Sequence, residues 1–101
     1  MTYAAAATPP RSAMGDVSWR DEVTVEGRVR SIRVRPWADG VRTLEVTLVD
    51  GTGGIEAIFL GRHAVAGVRL GTHLRASGRV GAYHGRLAIL NPVYEILIPA
   101  H

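Results

Sequence analysis

From Glu22 onward the chain alternates apolar and polar residues with a period of two. Val23, Val25, Gly27 and Val29 share one parity, and Ile32 and Val34 take the other. Successive side chains of a strand point to opposite faces, so a parity change inside one run predicts a β-bulge between Val29 and Ile32. A long strand bent there can serve both halves of a small closed sheet. Pro36-Trp37-Ala38-Asp39-Gly40 follows, with Asp-Gly as a hairpin signal. Leu44–Val49 alternates again, and Ile55–Leu60 is rich in β-branched and aromatic residues, which predicts a second and a third strand. Leu44, Val46, Leu48, Ile55, Ala57 and Phe59 are expected to face inward, with Thr43, Glu45, Thr47, Val49, Glu56, Ile58 and Leu60 outward. Residues 61–68 predict one or two helical turns closed by Gly67. Leu74, Ala76, Gly78 and Val80 mark a fourth strand, and Arg86–Leu90 a fifth after the His84-Gly85 turn. Asn91-Pro92 interrupts that ladder before Val93–Ile98 runs on near an edge.

This order predicts an all-β fold, a five-stranded Greek-key OB-fold barrel with a short helix between strands 3 and 4. The predicted domain spans 21–98. Before it, residues 1–20 are alanine-rich with Pro9-Pro10 and read as a flexible segment, in which Trp19 is placed to pack against the barrel. Gly51-Thr52-Gly53-Gly54 invites comparison with a phosphate-cradling loop. Such a loop needs a lysine and a following helix. The chain has no lysine, and a strand pattern follows the glycines. The stretch reads as a hairpin corner, with Asp50 and Thr52 bonding back to the turn backbone.

Composition narrows the classes further. The absence of cysteine excludes disulfides and thiolate chemistry, and suits a cytoplasmic, reducing setting. No apolar run approaches the roughly 18 residues of a membrane span, so no membrane partner is expected. The net charge of +3 comes from twelve arginines against nine carboxylates. That excess permits an anionic partner without demanding one. Arginine in place of every lysine is equally what a GC-rich genome produces. His63, His73, His84 and His101 lie in separate segments without ligand spacing, and Ser12, Ser18, Ser31 and Ser77 fit no nucleophile pattern. No catalytic residue, metal or cofactor is predicted, and the chain does not read as an enzyme.

Val23-Thr24-Val25-Glu26-Gly27-Arg28-Val29, Leu48-Val49-Asp50-Gly51-Thr52-Gly53, Leu70-Gly71, Ala76-Ser77-Gly78-Arg79-Val80 and Asn91-Pro92-Val93-Tyr94-Glu95 occur in that order. Together they resemble the OB-fold wedge domain of the branch-migrating DNA helicase RecG, and small stand-alone OB-fold proteins of actinobacteria that bind nucleic acid. The resemblance covers about residues 22–97. It implies a module for single-stranded or branched DNA, or RNA, and carries over no motor activity, since the helicase motor domains are absent.

Single-strand binding needs a basic groove with aromatic platforms. Arg33, Arg35 and Trp37 lead into the first loop and Arg42 leaves it, while Tyr83, His84 and Arg86 flank the loop between strands 4 and 5. These seven residues are the predicted nucleic-acid site. The outer face of strands 2 and 3, with Glu45 and Glu56, is expected to repel phosphate. Val49, Ile58 and Leu60 on that face form the alternative site, docking a protein partner or a second copy. Arg28, Arg30, Arg75 and Arg79 are expected in solvated cross-strand pairs with Glu26 or Glu22.

Overall fold

A computed structural model describes residues 9–62 and 64–98, without the side chains of Trp37 and Ala38. A 3₁₀ turn, Met14–Asp16, precedes strands β1 (Glu22–Ala38), β2 (Val41–Val49), β3 (Gly54–Leu60), β4 (His73–Tyr83), β5 (Arg86–Leu90) and β6 (Val93–Leu97). The pairing order β1-β2-β3-β5-β4 closes into a ring because β1 also pairs with β4, and β6 adds to β4 outside the ring. All pairs are antiparallel except β3 with β5. No described helix is long and apolar enough to cross a membrane.

Closure depends on β1. Its first part, Glu22 to Arg28, pairs with β4, and from Arg28 onward it pairs with β2. The register shifts between Val29 and Ser31, at the parity change read from the sequence, and again between Pro36 and Ala38. The strand bends at the first shift and so serves both halves of the ring.

Inside the ring the inward parities meet. Val23, Val25, Val29, Leu44, Val46, Leu48, Ile55, Ala57, Phe59, Leu74, Ala76, Val80 and Ile89 are all buried in one cluster. The rings of Phe59 and Tyr94 pack edge to face at 5.5 Å. The expected helix between β3 and β4 is not formed among the described residues. Gly67 does hold the positive φ of a closing glycine, 80°, but Arg62, Ala64 and Val65 before it take no helical structure. The segment instead makes isolated turns, with Val68 N donating to Val65 O and Thr72 N to Arg69 O.

Met14 and Val17 complete that core. The flexible segment expected over 1–20 therefore does not describe residues 9–20. Met14 N donates to Asp50 Oδ2 at 2.8 Å and Gly15 N to Thr52 Oγ1 at 2.9 Å. The other Asp50 oxygen accepts from Thr52 N and Thr52 Oγ1, at 2.9 and 2.6 Å. The hairpin corner thus doubles as the seat of the 3₁₀ turn. Burial pushes the Asp50 carboxyl up, but these donors outweigh it and hold it below its ordinary range. Two glycines allow the close approach: a Cβ on Gly15 would meet Thr52 O at 2.6 Å, and one on Gly27 would meet Val49 O at 2.4 Å and Met14 Cε at 2.5 Å.

Candidate nucleic-acid interface

The outward parity of β1, β2, β3 and β5 builds a second surface. Past the bulge, Ser31, Arg33 and Arg35 stand opposite Thr47, Glu45 and Thr43. Those in turn oppose Glu56, Ile58 and Leu60 on β3. Ala88 of β5 lies beside Glu56, and Arg86 pairs with Tyr83 at the end of the β4–β5 hairpin. The Tyr83 ring of the β4–β5 hairpin packs against Ile58 of β3. Ile58, Tyr83 and Ala88 form a small buried cluster there, with Leu60 packed against it.

The centre of this surface is Glu45, only 3 % exposed. Its Oε2 accepts from Arg35 Nε at 2.6 Å and from the Tyr83 hydroxyl at 2.7 Å. Burial pushes the Glu45 carboxyl up, and the hydrogen bonds from Tyr83 and Arg35 outweigh it, so it lies below the usual carboxylate range. The same contacts act in reverse on Tyr83, which burial first and then Glu45 push up to about 12. Arg35 is held more firmly protonated by the Glu45 bond. Two residues along β2, Thr47 Oγ1 donates to Glu56 Oε2 of β3 at 2.8 Å. A cleft of about 110 Å³ opens between Ser31, Arg33, Glu45, Thr47, Glu56 and Arg86.

Four of the seven predicted residues come together here. Arg35 and Tyr83 meet on Glu45, while Arg33 and Arg86 line the cleft. Among the described residues, neither Arg33 nor Arg86 forms an ion pair, and neither does Arg42. Arg42 is exposed opposite Pro36, toward the end of the β1–β2 hairpin. His84 is exposed in the β4–β5 turn at a φ of 50°, its ring edge-on to Tyr83 at 4.4 Å. The Trp37 side chain lies outside the described residues.

Three expectations change. Tyr83 was expected to offer a stacking ring, but it is 7 % exposed and fixed to Glu45. The docking patch of Val49, Ile58 and Leu60 loses its centre, because Ile58 is fully buried under Tyr83 and Ala88. Val49 and Leu60 are each only half-buried. Glu45, expected with Glu56 to repel phosphate, is already held by Arg35 and Tyr83.

The tRNA anti-codon family model, described as an OB-fold nucleic acid binding domain, matches residues 23–97. The chain belongs to that family. The OB-fold domain is also similar to the solution NMR structure of a replication factor A related protein from Methanobacterium thermoautotrophicum. The TM-score is 0.67 at 21% identity, covering 91% of this chain and 94% of that one, a likeness that shows the fold. No curated protein matches the sequence. OB-folds bind oligonucleotides on the outer face of strands 2 and 3 and by the loops between strands 1 and 2 and between 4 and 5. In this OB-fold domain the outer face of β2 and β3 carries the cleft lined by Glu45, Thr47 and Glu56.

Proposed function

We propose that this nucleic-acid-binding domain holds a single strand in the groove between the β1–β2 and β4–β5 hairpins, as a binder and not a catalyst. The observation that carries this is the state of the charges. Arg35 balances the Glu45 charge and Tyr83 hydrogen-bonds the same oxygen, which leaves Arg33 and Arg86 without an ion-pair partner among the described residues and open to a ligand. Guanidinium groups offer planar, bidentate donors that suit phosphate oxygens. Arg42 and His84 extend the same rim, and Trp37 is the proposed stacking residue of the first loop. The branched-DNA reading, drawn from the resemblance to the RecG wedge, enters as a second substrate form.

Fluorescence anisotropy with labelled single-stranded, duplex and forked DNA, and with single-stranded RNA, over a salt series tests this. Changing both Arg33 and Arg86 to Ala should lower the salt slope by about 1.4, since each phosphate contact on a single strand contributes about 0.7. Changing Arg75 and Arg79 to Ala, on the opposite face, should leave the slope as it is. Wild-type protein that binds no oligonucleotide tighter than about millimolar at low salt overturns the reading.

A further inference from the structure

Away from the groove, the turn Ser18–Asp21 presents Trp19, which is 60 % exposed. The sequence suggested that this indole packs on the ring, and its exposure removes that explanation. The turn is nevertheless firmly built. Ser18 N donates to Asp21 Oδ2 at 2.8 Å, and Asp21 N to Ser18 O at 3.1 Å. Arg20 N donates to Val80 O at 2.7 Å, and Val80 N to Asp21 O at 2.8 Å. Arg20 holds a φ of 78°, a region that residues with a Cβ rarely enter, so these bonds hold the backbone against its own preference. The outcome is an indole facing solvent with the Arg20 guanidinium 4.9 Å from its ring centroid.

Charges around the turn are already committed, except one. The Asp21 carboxylate closes the turn, and Glu22 accepts from Arg79 Nε at 2.8 Å. Arg20 forms no ion pair among the described residues. A guanidinium over one face of an indole strengthens the ring as a platform for a base on the other. The location fits a continued strand. Through Val80, residues 20 and 21 prolong the β1 pairing along β4, on the edge away from β5. Tyr83 lies three residues further along β4, about 10 Å away at strand rise, and its partner Arg86 lines the groove.

We infer that Trp19 and Arg20 form a second base-stacking platform, which takes an unpaired base of a single strand running past the end of the groove. The inference rests on the groove being the strand-binding surface. In a Trp37→Phe background Trp19 is the sole tryptophan, and its fluorescence reports the platform directly. Oligomers of dT of about 4 and about 16 nucleotides, the limits of OB-fold site size, separate groove from platform. The longer oligomer should quench Trp19 and the shorter should not. Trp19→Ala should weaken binding of the longer one by about five- to a hundred-fold and leave the shorter one unchanged, the range expected for one stacked base. Trp19→Phe should keep most of the affinity. Unchanged affinity of Trp19→Ala for the long oligomer, with Arg33 and Arg86 still required, overturns the platform and leaves the groove standing. A loss shared equally by both lengths also overturns it, since the effect then lies in the groove or the fold. If wild type binds neither oligomer, the groove reading falls and the platform with it.

Discussion

On the face formed by β1, β4 and β6, Arg75 bridges Glu26 at 2.7 Å and Glu95 at 2.8 Å, Arg79 meets Glu22 at 2.8 Å, and Arg11 meets Glu26 at 2.8 Å. Across the ring, Arg33 and Arg86 stand in a cleft with two carboxylates and pair with neither. Register explains the first face: Glu22 lies opposite Arg79, and Arg75 lies opposite both Glu26 and Glu95. Register alone would pair the groove as well, because Arg33 lies opposite Glu45. There the partner has been taken. Arg35 reaches Glu45 from two residues along the strand, and Tyr83 reaches it from the far hairpin. A carboxylate satisfied by others leaves its direct neighbour with an uncommitted charge. The lesson is that one residue type serves as scaffold or as contact according to whether its cross-strand partner has been claimed.

The contrast is broken or sharpened most directly by removing each carboxylate. Glu45→Ala strands Arg35 and the Tyr83 hydroxyl at a buried site, and urea unfolding should show a loss of about 3 kcal/mol, the low end for breaking a buried pair because Arg35 is partly solvated. Because its carboxyl lies below the ordinary range, the stability from Glu45 is present above the unfolded carboxylate pKa. It is lost as pH falls through the lower folded value. Tyr83→Phe keeps the ring over Ile58 and removes one hydrogen bond to a charged group, which should cost about 2 kcal/mol. With the Tyr83 hydroxyl at about 12 in the fold and 10.0 ordinarily, wild type should keep this contribution below pH 10.0 and lose it as pH rises toward about 12. The variant should show no such loss in that window. Glu26→Gln, on the solvated face, should change stability by less than about 1 kcal/mol. A cost there equal to that of Glu45→Ala would mean that the two faces do not differ as described.

Much of the fold was legible because parity is a local property. The valines of β1 and the change of phase at Arg30 locate the bend without reference to any other strand. The outer face was harder to read. Alternation says that Glu45 and Ile58 point away from the ring, but not that Tyr83, 25 residues beyond Ile58 in sequence, returns to cover them. The helix expected over 61–68 rested on a closing glycine, and Gly67 does hold a positive φ, but it closes only an isolated turn. Of the site, the arginines and the hairpins they border were legible from composition and turn signals. Which of them remain uncommitted depends on distances that spacing does not encode.

Met14 has a practical meaning for where this unit begins. Both the strand pattern and the family match start at residue 22 or 23. A chain cut there would lose the methionine thioether that closes the core above Gly27, and with it the main-chain donor, Met14 N, that occupies Asp50 Oδ2. Any graft of this module into another protein should therefore carry the leader from Pro10, whose carbonyl already accepts from Thr24 N. The packed unit is longer than its sheet, and its first core residue comes before its first strand.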